Sequence, residues 1–417
     1  MNKPIAAQPP LAPLDNAALR EDFPALAAKV YGKPLVYLDN AASAQKPRQV
    51  VERMLYATYH EYANVHRGLH YLANAATEAY EAARESVRAF LNAESSSEII
   101  FTKSATESIN LAAASFGEAF INEGDEIVLS IMEHHANIVP WHFLRARKGA
   151  VLKWVDVDDE GNFLLDSFER ALTPKTKIVA ITHMSNVLGT VTPVKEIARI
   201  AHGRGVPVLV DGSQGAVHVD VDVQDLDVDF YCLTGHKLYG PTGIGALYGK
   251  MKWLEKLPPF LGGGEMINEV TRDNVTYSDP PQRFEAGTPP IIQAIGLGAA
   301  ANYMQEIGRE RIHAHESALS KYAHERLSRL NSLRIYGRAR GKGGIVAFNM
   351  RSAHAHDIAT VLDQCGVAVR AGTHCAQPLL ARFGVTSTCR ASFALYNTYE
   401  EADKLVESLI KAEKLFA

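Results

Sequence analysis

Cys375 lies in the stretch RAGTHCAQP, residues 370–378, among glycine, alanine and small polar residues. A packed core would surround a thiol with larger apolar side chains, so this cysteine reads as one placed to react, with Arg370 nearby to favour the thiolate. Lys237 follows the apolar run VDFYCL in TGHKLYGPTG, where flanking glycines permit a tight turn and close approach of a ligand. A lysine so placed can form a Schiff base with a carbonyl compound. Asp211 follows PVLV, and a carboxylate at a strand tip has a reason to exist if it faces a cation. The segment SATES, 104–108, stands between an apolar run and a helical pattern, where free N–H groups, the helix dipole and hydroxyls attract an anion. The same segment also reads as an ordinary helix cap.

An amine, an acid and a cluster of anion donors are the three things pyridoxal phosphate requires, for its aldehyde, ring nitrogen and phosphate. A nicotinamide reading fails, because no G-x-G-x-x-G joins the first strand to a helix, and no G-x-x-x-x-G-K-[ST] occurs; GPTGIG, 240–245, reads as a turn. A zinc site from His134, His135, His374 and Cys375 has neither C-x-x-C nor H-E-x-x-H spacing behind it, so no metal is expected. Cys232 lies in an apolar run and reads as a core residue, and Cys365 and Cys389 as structural ones.

Residues of this kind need strand ends to hold them. Short β-rich runs alternate with helical patterns between about 85 and 250: 98–103, 125–130, 151–157, 177–183, 206–211, 228–234 and 245–249. This predicts an α/β core, and runs without polar alternation predict strands covered on both faces. Helices are expected over 106–121 and 194–205. In such sheets ligands gather beyond the C-terminal strand ends, which is where SATES, MEHHAN (132–137), SNVLG (185–189), DGSQ (211–214) and TGHK (234–237) fall. The expected organisation is an arm over 1–20, a large α/β domain over 21–290 whose start packs on the small domain, and a smaller α+β domain over 291–417 carrying the cysteine loop, with strands at 344–350, 367–372 and 389–397.

Composition sets the remaining bounds. The 417 residues suffice for two domains, and 47% hydrophobic with 22% charged residues is an ordinary globular balance. With 43 basic and 47 acidic residues spread along the chain, no nucleic-acid or membrane patch is implied. Prolines at 4, 9, 10 and 13 interrupt the N-terminus, which lacks the apolar core of a secretion signal, so a cytoplasmic protein is expected. Four cysteines make no disulfide framework.

The motifs YLDNAASAQKP (37–47), VHRG (65–68), EHHANIVPW (133–141), SNVLGT (185–190), VDGSQ (210–214), HKLYGPTGIG (236–245), RFEAGTP (283–289) and RAGTHCAQP occur in the order found in SufS-type (group II) cysteine desulfurases. From about Asp22 to the C-terminus the chain resembles that group, part of the class V aminotransferase family of fold-type I pyridoxal-phosphate enzymes. The resemblance implies a large domain with a mainly parallel seven-stranded sheet, and a homodimer. It implies that Lys237 anchors the cofactor, Asp211 pairs with its ring nitrogen and His134 stacks on the ring. Asn186 and Gln214 would bond the ring oxygen. Thr106, Thr234 and His236 would bind the phosphate with Thr288 of a second subunit. Arg390 would clamp the substrate carboxylate, with Arg370, His66 and Asn186 lining the same pocket, and His135 and Arg67 in supporting or dimer-contact places.

The implied reaction takes L-cysteine to L-alanine and leaves a persulfide on Cys375, to be collected by an acceptor of SufE or SufU type for iron–sulfur cluster assembly. Selenocysteine lyase or cysteine sulfinate desulfinase activity on the same scaffold is the alternative. A transaminase would have no use for the loop thiol, and a non-catalytic scaffold none for Lys237 and Asp211. Thr373 stands where the group usually has a first histidine, and a threonine offers no imidazole for proton transfer.

Overall fold

A computed structural model of the chain describes residues 14–416. Seven strands form the main sheet: β1 (Ile99–Thr102), β2 (Glu126–Ser130), β3 (Val151–Val155), β4 (Thr176–Thr182), β5 (Val208–Asp211), β6 (Phe230–Thr234) and β7 (Gly245–Gly249). Their spatial order is β1-β7-β6-β5-β4-β2-β3. β7 runs antiparallel to both neighbours and every other pairing is parallel, so six strands end on the same edge. The expected mainly parallel seven-stranded sheet is present, and each expected strand of this region is found within a few residues.

Alternate strand residues face opposite layers. Val128, Val179, Val208 and Val210 pack with Tyr80, Val87, Ile197 and Leu297 of the helices Tyr71–Leu91, Val194–His202 and Ile291–Ile307. Ile127, Leu129, Ile178 and Leu209 pack with Ile109, Phe116, Trp141 and Leu144 of Ala105–Phe120 and Val139–Lys148. Burial on both faces explains the continuous apolar runs. The helix Ile291–Ile307 is apolar all round because it is covered too; a Cβ at its Gly298 would stand 2.7 Å from the Ala83 backbone.

A second, four-stranded antiparallel sheet comprises β8 (Leu333–Tyr336), β9 (Ile345–Met350), β10 (Arg370–Gly372) and β11 (Thr388–Ser392), in the order β8-β9-β11-β10. The run expected as one strand over 367–372 is two: Val367–Ala368 leaves to pair in parallel with Val36–Tyr37, and only Arg370–Gly372 joins this sheet. Strand β8 has only four residues, is interrupted by exposed Arg334 and lies at the sheet edge, which hides it from a search for apolar runs. The hairpin Ile267–Val270 with Val275–Tyr277, late in the segment expected as the large domain, is largely exposed and equally weak as a sequence signal.

Of the expected N-terminal arm, residues 1–13 lie outside the described residues, while Asn16–Glu21 is a helix. Asn16 Nδ2 donates to Leu395 O at 2.8 Å, and Arg20 Nη1 donates to Tyr396 O and Glu401, each at 2.9 Å. Among the described residues no helix is long and apolar enough to cross a membrane.

Candidate active site

The shared strand edge opens onto a cavity of about 240 Å³. It collects residues from β4, β5 and β6, from the start of the helix Ala105–Phe120, and from β10, β11 and the loop between them. Of the residues singled out in the sequence, Thr106, His134, Asn186, Asp211, Gln214, Thr234, His236, Lys237, Arg370, Cys375 and Arg390 all line it. His66 and Thr288 do not. His66 is paired with Glu81 at 2.8 Å, and Thr288 is exposed on the loop before Ile291–Ile307.

Register explains the convergence. Asp211 ends β5 opposite Thr182 of β4 and Cys232 of β6, so its carboxylate emerges at the sheet centre. Ser213 N and Oγ donate to Asp211 Oδ1 at 2.9 and 2.6 Å, which fixes the side chain. Thr102 and Thr234 both face Gly245 of β7, which brings the starts of the 105–120 helix and the Lys237 turn together. A Cβ on Gly245 would meet the Leu233 carbonyl oxygen and the Ser104 backbone at 2.7 Å, so only glycine permits that approach.

Ser104 caps this helix through Glu107 N at 3.4 Å, and Ser104, Ala105 and Thr106 also line the cavity. The observed cap and the expected anion-binding segment are thus the same stretch, and its first-turn N–H groups lack intrahelical partners.

Lys237 is buried, and desolvation pulls its amine down to about 8, with Asp211 opposing the shift. His134 is pushed down to about 4 by burial and then by Lys237, so its ring is neutral. Its Nδ1 accepts from Ala136 N at 3.0 Å, leaving the proton on Nε2. His236 falls to about 4 for the same causes, with Lys46 adding to them.

The cysteine loop is held on both sides of the thiol. His135 N donates to Cys375 O at 2.7 Å, and Gln377 N donates to His135 Nε2 at 3.2 Å. Asn186 Nδ2 donates to His374 O at 2.7 Å, and His374 Nε2 to Thr388 O at 2.9 Å. His374 and Cys375 both adopt left-handed backbone, with φ of 51° and 54°. This conformation is uncommon for non-glycine residues and turns the thiol outward. Cys375 is exposed, whereas Cys232 and Cys389 are buried and Cys365 is intermediate. Burial raises the Cys232 thiol strongly and the Cys389 thiol to about 12.

The roles of three residues, Asp39, Glu133 and His374, are not read from the sequence, where His374 figures only as a rejected metal ligand. Arg370 and Arg390 are direct cross-strand partners on β10 and β11, a like-charge pair that would be unfavourable alone. Asp39 lies between them, accepting from Arg370 Nη2 at 2.8 Å and from Arg390 Nη2 at 3.4 Å. Glu133 is fully buried and accepts from Ser130 Oγ, Thr182 N at 3.0 Å and Asn137 Nδ2 at 2.7 Å, which ties the ends of β2 and β4 to the short helix His135–Asn137 that follows His134. His374, beside the thiol, is pushed down to about 3, chiefly by burial. Asp39 and Glu133 stand inside the quoted motifs YLDNAAS and EHHAN, and a carboxylate in a small-residue or histidine-rich strand end was the available signal.

The cavity fits pyridoxal phosphate on its own chemistry. Gln214 Oε1, Thr234 Oγ1, His374 Nδ1 and Arg390 Nε are buried without a hydrogen-bond partner, and all four residues line it. Unmet buried polar atoms are costly, and four around one cavity indicate a polar occupant. Among the described residues no cluster of histidine, cysteine or carboxylate side chains is arranged to hold a metal.

Residues 36–405 match the family model for aminotransferase class-V. The chain is 50% identical to a probable cysteine desulfurase of Halalkalibacterium halodurans, over 95% of this chain and 98% of that protein. It is 48% identical to a cysteine desulfurase of Dickeya dadantii, over 100% and 99% respectively. Its structure resembles the cysteine desulfurase CsdA of Escherichia coli with a TM-score of 0.90 at 40% identity, covering 97% of this chain and 100% of the other. The chain belongs to the aminotransferase class-V family, and within it to the cysteine desulfurases.

Proposed function

We propose that this cysteine desulfurase moves the sulfur of L-cysteine onto Cys375 and releases L-alanine. The observation that carries the proposal is the position of the one exposed cysteine, on a braced loop at the cavity that also holds Lys237, Asp211 and Arg390.

Pyridoxal phosphate, when bound, supplies an electron sink for charge developing at the substrate Cα. Lys237 would hold it, Asp211 would balance the charge of its ring nitrogen, and neutral His134, Asn186 and Gln214 would bind the rest of its ring. Thr106, Thr234 and His236 hold its phosphate. Arg390 binds the substrate carboxylate through its planar fork, with Arg370 beside it. The neutral Lys237 amine takes the Cα proton and returns one in the product.

The Cys375 thiolate then attacks the substrate sulfur: the S–S bond forms as the Cβ–S bond breaks, and Cβ ends with a proton in its place. Cysteine plus thiol becomes alanine plus persulfide, and no external oxidant is required. Thr373 offers no imidazole to act as general acid or base, so the proton transfers in this reading rest on Lys237.

The active unit is a homodimer in which Thr288 of each chain reaches its neighbour's phosphate, consistent with its exposure. A cytoplasmic acceptor of SufE or SufU type collects the persulfide for iron–sulfur cluster assembly. Measuring sulfide, alanine and pyruvate from one preparation fed with cysteine tests the reaction. Alanine and acceptor-dependent sulfide in equal amounts support it, and pyruvate as the main product refutes it.

A further inference from the structure

Away from the active site, a cavity of about 450 Å³ opens between the helix Arg309–Leu327 and the loop joining β8 to β9. Lys321, His324, Arg338, Arg340 and Lys342 line it with Ser317, and no carboxylate does. Among the described residues, none of Lys321, Arg338, Arg340 and Lys342 forms an ion pair with an acid. The two exposed arginines stand one residue apart in sequence around buried Ala339, so the loop directs both guanidinium groups from one short segment. Lys342 Nζ is fixed at the back, donating to Gly337 O at 2.9 Å and lying 3.3 Å from His324 Nε2.

Lys321, Arg338 and Arg340, gathered beside Lys342 without counter-charge, repel one another, and an arrangement of this kind is relieved by a bound anion. Burial without an acid holds the Lys342 amine down to about 7, and burial together with Lys342 and Arg338 holds His324 down to about 4. An arriving anion restores the lysine's charge and gains a charge-assisted bond. A single carboxylate carries one negative charge, against the charges of Lys321, Arg338 and Arg340 and the one Lys342 regains. Paired guanidinium forks, an ammonium and a hydroxyl suit phosphoryl oxygens, and the volume holds a small molecule.

We propose that the Lys321–Arg338–Arg340–Lys342 cavity is a binding site for a small phosphorylated anion, separate from the cofactor cradle. The site lies one turn from the active centre. Gly343 N, next to Lys342, donates to Gly189 O at 2.9 Å, and that same turn presents Asn186 to the catalytic cavity. This inference does not depend on the reaction proposed above.

The test is calorimetric titration of the cofactor-loaded holoenzyme with inorganic pyrophosphate, so that the cradle at Thr106 is already filled. Saturable binding, weakened about tenfold or more in Arg340→Ser and in Arg338→Ser, supports the site. Both side chains are exposed, so these variants keep the fold, and unchanged cofactor absorbance verifies it. Absence of saturable binding, or equal affinity in wild type and both variants, overturns it. Binding of hexaglutamate but not pyrophosphate also overturns it, and marks the patch as a dock for an acidic protein.

Discussion

At the scale of single residues, Lys237 and Glu133 show opposite uses of burial. Desolvation lowers the Lys237 amine to about 8, so the cofactor-free protein carries a neutral nucleophile only as pH rises through that value. Capture of pyridoxal phosphate by the apoprotein is therefore expected to accelerate from pH 7 to pH 9 and then level; stopped-flow absorbance checks it, and a rate independent of pH contradicts it. Burial raises Glu133 to about 8 although three donors favour its charged form. In Glu133→Gln the new amide N–H group meets Asn137 Nδ2, and Asn137 cannot flip freely because its Oδ1 accepts from Trp141 Nε1 at 3.0 Å. A loss of about 1–3 kcal/mol in unfolding free energy is expected from that mismatch, measured by denaturant titration. Asp39→Asn should raise KM for cysteine more than it lowers kcat, because the two arginines lose the charge that orients them for the carboxylate. Steady-state kinetics reads the split.

The elements were legible where burial on both faces wrote continuous apolar runs, which holds for six strands of the large sheet; the edge strand β3, largely exposed and carrying Lys153, was placed from its β-branched and aromatic residues. Strand β8 was missed because its four residues, Leu-Arg-Ile-Tyr, are too short a run to stand out, and Ile267–Val270 because it is almost wholly exposed and carries Glu269 between its apolar ends. The cavity residues at strand ends were readable by type, since lysine, aspartate and cysteine there have little structural reason to exist. Asp39, Glu133 and His374 were not, because their importance lies in partners more than 10 residues away along the chain, such as Arg370 for Asp39 and Thr182 for Glu133. Gly245 tests the placement of elements directly. Gly245→Ala is expected to separate β7 from Ser104 and loosen the phosphate cradle, lowering cofactor retention on dialysis while the far-UV spectrum is kept.

At the scale of the whole molecule, the large sheet brings Asp211, Thr234 and Lys237 to the cavity and the small sheet brings Arg370, Arg390 and the Cys375 loop, so on the proposed roles each catalytic cycle needs both. The proposed sharing of Thr288 extends this to two chains. Mixed dimers of Lys237→Ala with Thr288→Asp would contain one site with both native residues, so activity should return on subunit exchange; hybrids that form and stay inactive contradict the shared site. The central claim concerns the exposed thiol, and single-turnover mass spectrometry tests it most directly. Holoenzyme mixed with one equivalent of cysteine and quenched before any acceptor is added should carry one extra sulfur on the peptide containing Cys375, with alanine released in equal amount. Sulfur on Cys232, Cys365 or Cys389 with Cys375 unmodified, or full alanine release from Cys375→Ser, would contradict it.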